Sequence, residues 1–205
     1  LREGDFRGAL AIAAADDDLA SRPATLILSA IYWRNTWKYQ ARGYRHLFWD
    51  SGSMLSNLLA AATALDLPAR AITGFVDLEV NGLLALDAEK EGALLLAPVG
   101  GQGRPAPVSP VIAAITPEVI PLGRSEVDYP LLRDAYENSS LDAESEVQAW
   151  REASWQLRPL AGAVVALPTP RASAGRALAE TIMARGSTRQ FSGAAIGAGE
   201  LSTAL

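Results

Sequence analysis

The distribution of apolar residues divides the chain into runs with different periods. Thr25 to Tyr32 (Thr-Leu-Ile-Leu-Ser-Ala-Ile-Tyr) is apolar and partly β-branched, which predicts a buried strand. From Tyr44 to about Leu65 the period becomes helical. Leu47, Phe48, Ser51, Met54, Leu55, Leu58, Leu59, Ala62 and Leu65 share one face, an arc of about 140°, expected to pack in the core. The opposite face carries Asp50, Ser53, Asn57 and the small Ala60, Ala61 and Ala64, which let a second helix, a subunit or a ligand come close. Gly52 costs about 1 kcal/mol against Ala in a helix interior, so a close approach is expected there.

Pro68 ends this helix. Ala69 to Phe75 reads as a strand ending at Gly74, Asp77 to Leu86 as a short helix, and Ala93 to Val99 as another strand closed by Gly100-Gly101. Helix, strand, helix and strand in succession predict a layered α+β domain, a sheet flanked by helices. Asp5 to Ala15 is Ala-rich and weakly patterned. Asp16-Asp17-Asp18 reads as a solvated turn, because three consecutive carboxylates point in different directions and make a poor metal site.

Beyond Gly100 the pattern weakens. Pro98, Pro105, Pro107, Pro110, Pro117, Pro121 and Pro130 mark a linker or wrapping segment. A helix is predicted from Ser140 or Asp142 to Leu157, with Trp150 and Trp155. Gly162 to Leu167 is an isolated strand or extended linker; Ala174 to Ala184 is helical, and Glu200 to Leu205 begins another helix.

Composition narrows the function. The 205 residues suffice for one domain or one and a half. A net charge of −5 argues against nucleic-acid binding, leaving only local basic clusters to serve an anion. With no Cys, disulfides, thiolate catalysis and zinc clusters are excluded, and a reducing, cytoplasmic location fits. The single His46 argues against a His-based triad or multi-His metal site and reads as a helix-surface residue. No apolar run reaches the roughly 18 residues of a membrane span, and no signal peptide is visible. The chain starts at Leu1 and ends at Leu205 with a helix just begun, so an internal fragment of a longer protein is expected.

Two stretches carry candidate chemistry. Trp33 to Arg45 holds four cations (Arg34, Lys38, Arg42, Arg45) and four large aromatics (Trp33, Trp37, Tyr39, Tyr44). Solvated loops rarely hold so many aromatics, and cores rarely hold four cations, so this is expected to be the wall of a site or of an anionic interface. Simple core packing is the expectation for Trp33 and Trp37 themselves. The second stretch, Arg185-Gly186-Ser187-Thr188-Arg189, follows a helix. Its guanidiniums, hydroxyls and Gly suit a phosphate grip, and equally a basic surface turn.

The order Arg-x-Ser-Thr-Arg-x-Phe-Ser-Gly from Arg185 resembles the N-terminal motif of the flavin-dependent nitroreductase family. The resemblance implies that Arg185, Ser187 and Arg189 hold the FMN phosphate and ribityl chain. Trp37-Lys38-Tyr39-x-x-Arg42-Gly43-Tyr44-Arg45, then Thr73-Gly74-Phe75-Val76-Asp77 and Ala97-Pro98-Val99-Gly100, resemble the SagB-type branch of that family. That branch uses FMN to oxidise azolines to azoles in peptide natural products. The likeness covers about Ala24 to Arg104 and Leu178 to Leu205.

It implies a nitroreductase-like fold with a long central helix and Lys38-Tyr39 as the acid–base pair. It implies Thr73, Gly74 and Phe75 along the flavin ring, with Gly74 alternatively an ordinary strand-end turn. It also implies Arg104 as a late phosphate ligand, or else a linker charge. The phosphate motif opens such a module and the Lys-Tyr half closes one, so a tandem arrangement is expected. Residues 1–104 close a first module, 105–173 form a Pro-rich linker with an acidic helix, and 174–205 start a second. The expected partners are a peptide or small-molecule substrate and a second module or homodimer partner. Two alternatives stay open: a generic NAD(P)H-dependent nitroreductase, and a catalytically degenerate scaffold or peptide-binding module, which the departures from the family pattern at Gly186 and Ser53 favour.

Overall fold

The computed structural model describes residues 1–153, 162–173 and 175–205. The chain divides into two compact units, Leu1–Ser154 and Trp155–Leu205.

The first unit is built on one strand. Strand β2 (Glu91–Val99) is buried continuously from Gly92 to Pro98, as its uninterrupted apolar run requires when both faces are covered. Strand β1 (Ala24–Ile31) pairs with it antiparallel, from Ala24 opposite Val99 to Ile31 opposite Glu91, with one irregularity after Leu28. On the other side of β2, the expected strand Ala69–Phe75 is reduced to isolated bridges, Ala69 to Val99 and Ile72 to Leu96. The chain leaves β2 because its next amides bond elsewhere. Val76 N–H donates to Ala13 O at 2.7 Å and Asp77 N–H to Leu141 O at 3.1 Å.

Helix α1 (Arg7–Ala13) occupies the weakly patterned N-terminal stretch and buries Leu10, Ala11 and Ala13. Asp16–Asp18 is more than a solvated turn. Arg70 reaches Asp16 at 2.6 Å and Asp18 at 3.2 Å, and Arg22 reaches Asp18 at 2.7 Å, so only Asp17 is fully exposed. The Arg22 guanidinium holds the Asp18 carboxyl below its ordinary range.

Helix α2 (Trp33–Tyr39) and helix α3 (Gly43–Ala64) follow β1, joined by a 3-10 turn over Gln40–Arg42. A Cβ at Gly43 would lie 2.9 Å from Thr36 Cγ2, so Gly is what lets α3 start against α2. The face of α3 expected in the core is only partly covered. Leu47, Ser51 and Ala62 are buried, but Phe48, Met54 and Leu65 are 43%, 59% and 69% exposed. This unit, with two strands, supplies no further layer to cover it.

Helix α4 (Asp77–Leu84) leads into β2. Residues 100–129 have no regular structure and wrap the unit, as the prolines anticipate. Gly103 and Ala106 amides bond to Ser21 and Ala20 carbonyls, and Ser109 Oγ accepts the Ala9 amide. Helix α5 (Pro130–Glu137), absent from the pattern reading, starts with Pro at its first turn and buries Leu132 and Tyr136. The Tyr136 ring lies so close to Gly92 that any Cβ there would overlap it. Asn81, 5% exposed, binds both partners: its Oδ1 accepts the Ala93 amide at 2.9 Å and its Nδ2 donates to the Tyr136 hydroxyl at 3.0 Å. Burial pushes the Tyr136 phenol well above its ordinary range.

Helix α6 (Glu144–Glu152) buries Val147 completely, and Arg151 donates to the Ala14 and Ala15 carbonyls that end α1. The helix expected as far as Leu157 stops at Glu152; Trp155 and the rest of that expectation lie outside the described residues. In the second unit, α7 (Leu178–Ala184) and α8 (Ala198–Ala204) bury no residue. Gly162 to Leu167 contains no strand, and Ala174 lies outside the described residues.

Asp77 Oδ2 accepts the Leu141 amide at 2.9 Å, and burial raises its carboxyl pKa above 3.8. A raised folded value makes this group most favourable below the unfolded pKa, and that stability is lost as pH rises through the folded value. Asp77→Asn keeps an acceptor and removes the charge. In urea denaturation it is expected to match or exceed the parent at pH 7, with the parent gaining on it as pH falls toward 3.8. An Asn variant that is less stable at pH 7 and recovers in acid contradicts this.

Candidate functional site

The cationic aromatic stretch is a helical corner. Lys38 is exposed at the end of α2, with its Nζ 5.1 Å from the centroid of the half-buried Tyr39 ring. Tyr39 stacks on His46 of α3 at 3.7 Å and 12°, and His46 meets Trp49 edge-on at 4.7 Å. The result is a ladder of one cation and three rings. His46 holds Tyr39, a role invisible in the sequence because the two residues sit on different helices across a break. Arg34, Arg42 and Arg45 are exposed and, among the described residues, none of them or Lys38 makes an ion pair.

Neither tryptophan of this corner is a core residue, contrary to expectation. Trp37 is 62% exposed, its indole N–H donating to Arg34 O at 3.1 Å, and Trp33 is half-buried at the edge of a cavity. The cause is again the missing layer over this side of α2 and α3.

The other candidate residues are dispersed. Thr73 is exposed, Phe75 is 3% exposed within the core, and Gly74 between them is buried. Gly74 is covered by a side chain of the same chain: a Cβ there would lie 2.7 Å from the Trp150 indole ring. Trp150 thus occupies the space over the Gly74 backbone. Arg104 is exposed in the wrapping segment, where its carbonyl accepts from Arg7 at 3.2 Å. Arg185, Ser187 and Arg189 are exposed on the irregular chain after α7, in the second unit. Lys38 and Tyr39 are therefore brought together, while the phosphate-motif residues fall in a different unit.

These observations test the fit of FMN. A flavin needs a cradle for its phosphate and a backbone face for its ring. In the first unit, Arg104 is exposed in the wrapping segment and the Gly74 face is filled by Trp150. With Trp150 in that place, the Gly74 backbone face is not open to a flavin ring in this arrangement. Among the described residues there is also no cluster suited to a metal ion, and no helix is long and apolar enough to cross a membrane.

Residues 8–101 match the nitroreductase family model. The fold of this part is nitroreductase-like, α+β with helices around a small sheet. Two relatives carry the name "putative nitroreductase". One, from Methanocaldococcus jannaschii, is 37% identical over 82 residues, which is 40% of this chain and 40% of that protein. The other, a crystal structure from Anabaena variabilis, superposes with a TM-score of 0.55 at 27% identity, covering 69% of this chain and 30% of that one. The chain thus spans well under half the length of either relative. The Escherichia coli microcin synthetase McbBCD complex overlaps with a TM-score of 0.43 at 25% identity, over 47% of this chain and 38% of that one, too slight a likeness to carry an argument.

The contact between Gly74 and Trp150 makes a double-mutant test. Gly74→Ala alone is expected to cost about 1–3 kcal/mol by overpacking. In a Trp150→Ala background the same change should cost much less, because the ring it meets is gone. Equal costs in both backgrounds, measured by urea denaturation, would show that Trp150 does not cover Gly74 in solution.

Proposed function

We propose that this chain is part of an FMN-dependent oxidoreductase of the SagB type, acting on azolines in a peptide. The observation that carries the reading is the Lys38–Tyr39 pair, exposed at a corner whose aromatic ladder fixes the tyrosine. Turning an azoline into an azole removes two hydrogens from the ring, one as a proton and one with an electron pair. Lys38 Nζ is suited to take the proton once a partner surface dries its surroundings. Tyr39, held by His46, orients the exchange. FMN is the electron acceptor in this reading.

Trp150 covers the Gly74 face in the first unit, so the reading takes a second surface to complete a flavin site. In this reading Arg185, Ser187 and Arg189 grip a phosphate in the module that they open, while in the first unit Thr73, Gly74 and Phe75 lie along a flavin ring if Trp150 withdraws, with Arg104 as an additional cation. The uncovered face of α3, with Phe48, Trp49 and Met54 exposed, is where a second module or a second copy would sit. Trp150 on Gly74 favours another reading, a catalytically degenerate module that binds peptide or supports a partner.

The natural full-length protein separates the two. The enzyme reading expects bound flavin, and azoline oxidation reduced by about 10²–10⁴-fold in Lys38→Ala with flavin retained. Activity indifferent to Lys38 rules out the acid–base role. A protein that stays colourless after addition of FMN supports the degenerate reading.

A further inference from the structure

A cavity of about 430 Å³ opens beside the start of α2, on residues that the flavin reading does not use. That volume lies within the range of ligand pockets, about 300–1,000 Å³. Its floor is Tyr32, Thr36 and Leu132, which are 5%, 3% and 2% exposed. Trp33 and Tyr129, both half-buried, add two aromatic surfaces. Glu89, Lys90, Glu126, Asp128 and Arg133 complete the lining.

The charges at the rim do not cancel. Arg133 is closed by Asp128, its Nε and Nη2 donating to the two carboxylate oxygens at 3.1 and 3.0 Å. Glu89 lies 4.0 Å from Arg133, at the limit of an ion pair, and Glu126 makes no ion pair among the described residues. With Lys90 counted against Glu89 and Glu126, the remaining charge is −1. Aromatic faces and a negative rim together favour a cation.

Thr36 sharpens the chemistry. It is 3% exposed and lines the cavity; its hydroxyl makes no hydrogen bond among the described residues, and it is not one of the fully buried unpartnered atoms, so it is accessible from the cavity. An accessible, unpartnered hydroxyl at the wall of a cavity can accept from or donate to a polar group bound inside it. A planar guanidinium meets all three features: it stacks on indole and phenol faces, forks toward a carboxylate, and has N–H groups to spare for a hydroxyl.

We propose that this cavity binds the guanidinium side chain of an arginine-bearing peptide, stacked on Trp33 and Tyr129 and bonded to Glu126 and Thr36. The site stands whether or not the chain takes part in flavin chemistry.

Calorimetric titration of the chain with Nα-acetyl-arginine amide, and with its uncharged citrulline counterpart, tests this. Saturable binding of the arginine amide is expected, about tenfold or more tighter than the citrulline compound. Glu126→Gln, on an exposed irregular segment, and the near-isosteric Thr36→Val should each weaken binding by about threefold or more. Both should melt like the parent. Equal affinity for arginine and citrulline, equal affinity for acetyl-lysine amide, or no saturable binding overturns the proposal. So does unchanged affinity in both variants.

Discussion

At Gly92 a tyrosine ring takes the place that a side chain would fill. Tyr136 comes from a helix 43 residues beyond Ala93, lies against the bare β2 backbone and shares its hydroxyl with Asn81 and the Ala93 carbonyl. Asn81 in turn bonds the Ala93 amide. One buried amide side chain thus joins α4, β2 and α5. An unpaired buried polar group costs about 1–3 kcal/mol, so these three elements must dock together or leave donors and acceptors stranded.

The consequences reach the candidate site. Once Tyr136 fixes α5, the chain continues through Leu141, bonded both ways to Asp77, into α6. Val147 then enters the core, Arg151 caps α1, and Trp150 falls on Gly74. The segment after the Pro-rich wrap is therefore part of the first unit, although composition marked it as linker. Its packing covers the backbone that the family resemblance assigned to a flavin ring. The same unit leaves much of α3 and the Lys38–Tyr39 corner uncovered. A core closed on one side and open on the other explains why the proposed chemistry needs a second surface.

Much of the fold was legible in local pattern. The runs behind β1 and β2 and the long period of α3 located those elements to within a few residues, because continuous burial and a 3.6-residue period leave strong marks. Helices α1, α2 and α5 are seven or eight residues long, too short for a period to separate from noise, and α1 and α2 are also rich in Ala or aromatics. The Lys38–Tyr39 pair was legible as a motif. The residues that govern its surroundings were not: His46, Asn81, Tyr136 and Trp150 act across long sequence separations, where no spacing rule applies. Gly74 and Gly92 look like ordinary strand glycines until the ring that covers each is known.

Helices α5 and α6 are integral to the β2 core rather than a detachable strap. Native-state hydrogen exchange under increasing denaturant measures this directly. The amides of Ala93 and Leu96 in β2 and of Tyr136 and Val147 in α5 and α6 are predicted to open with one common free energy, equal to that of global unfolding. Exchange of the Tyr136 and Val147 amides through a local opening, while β2 stays protected, would contradict the account and free Gly74 for another occupant.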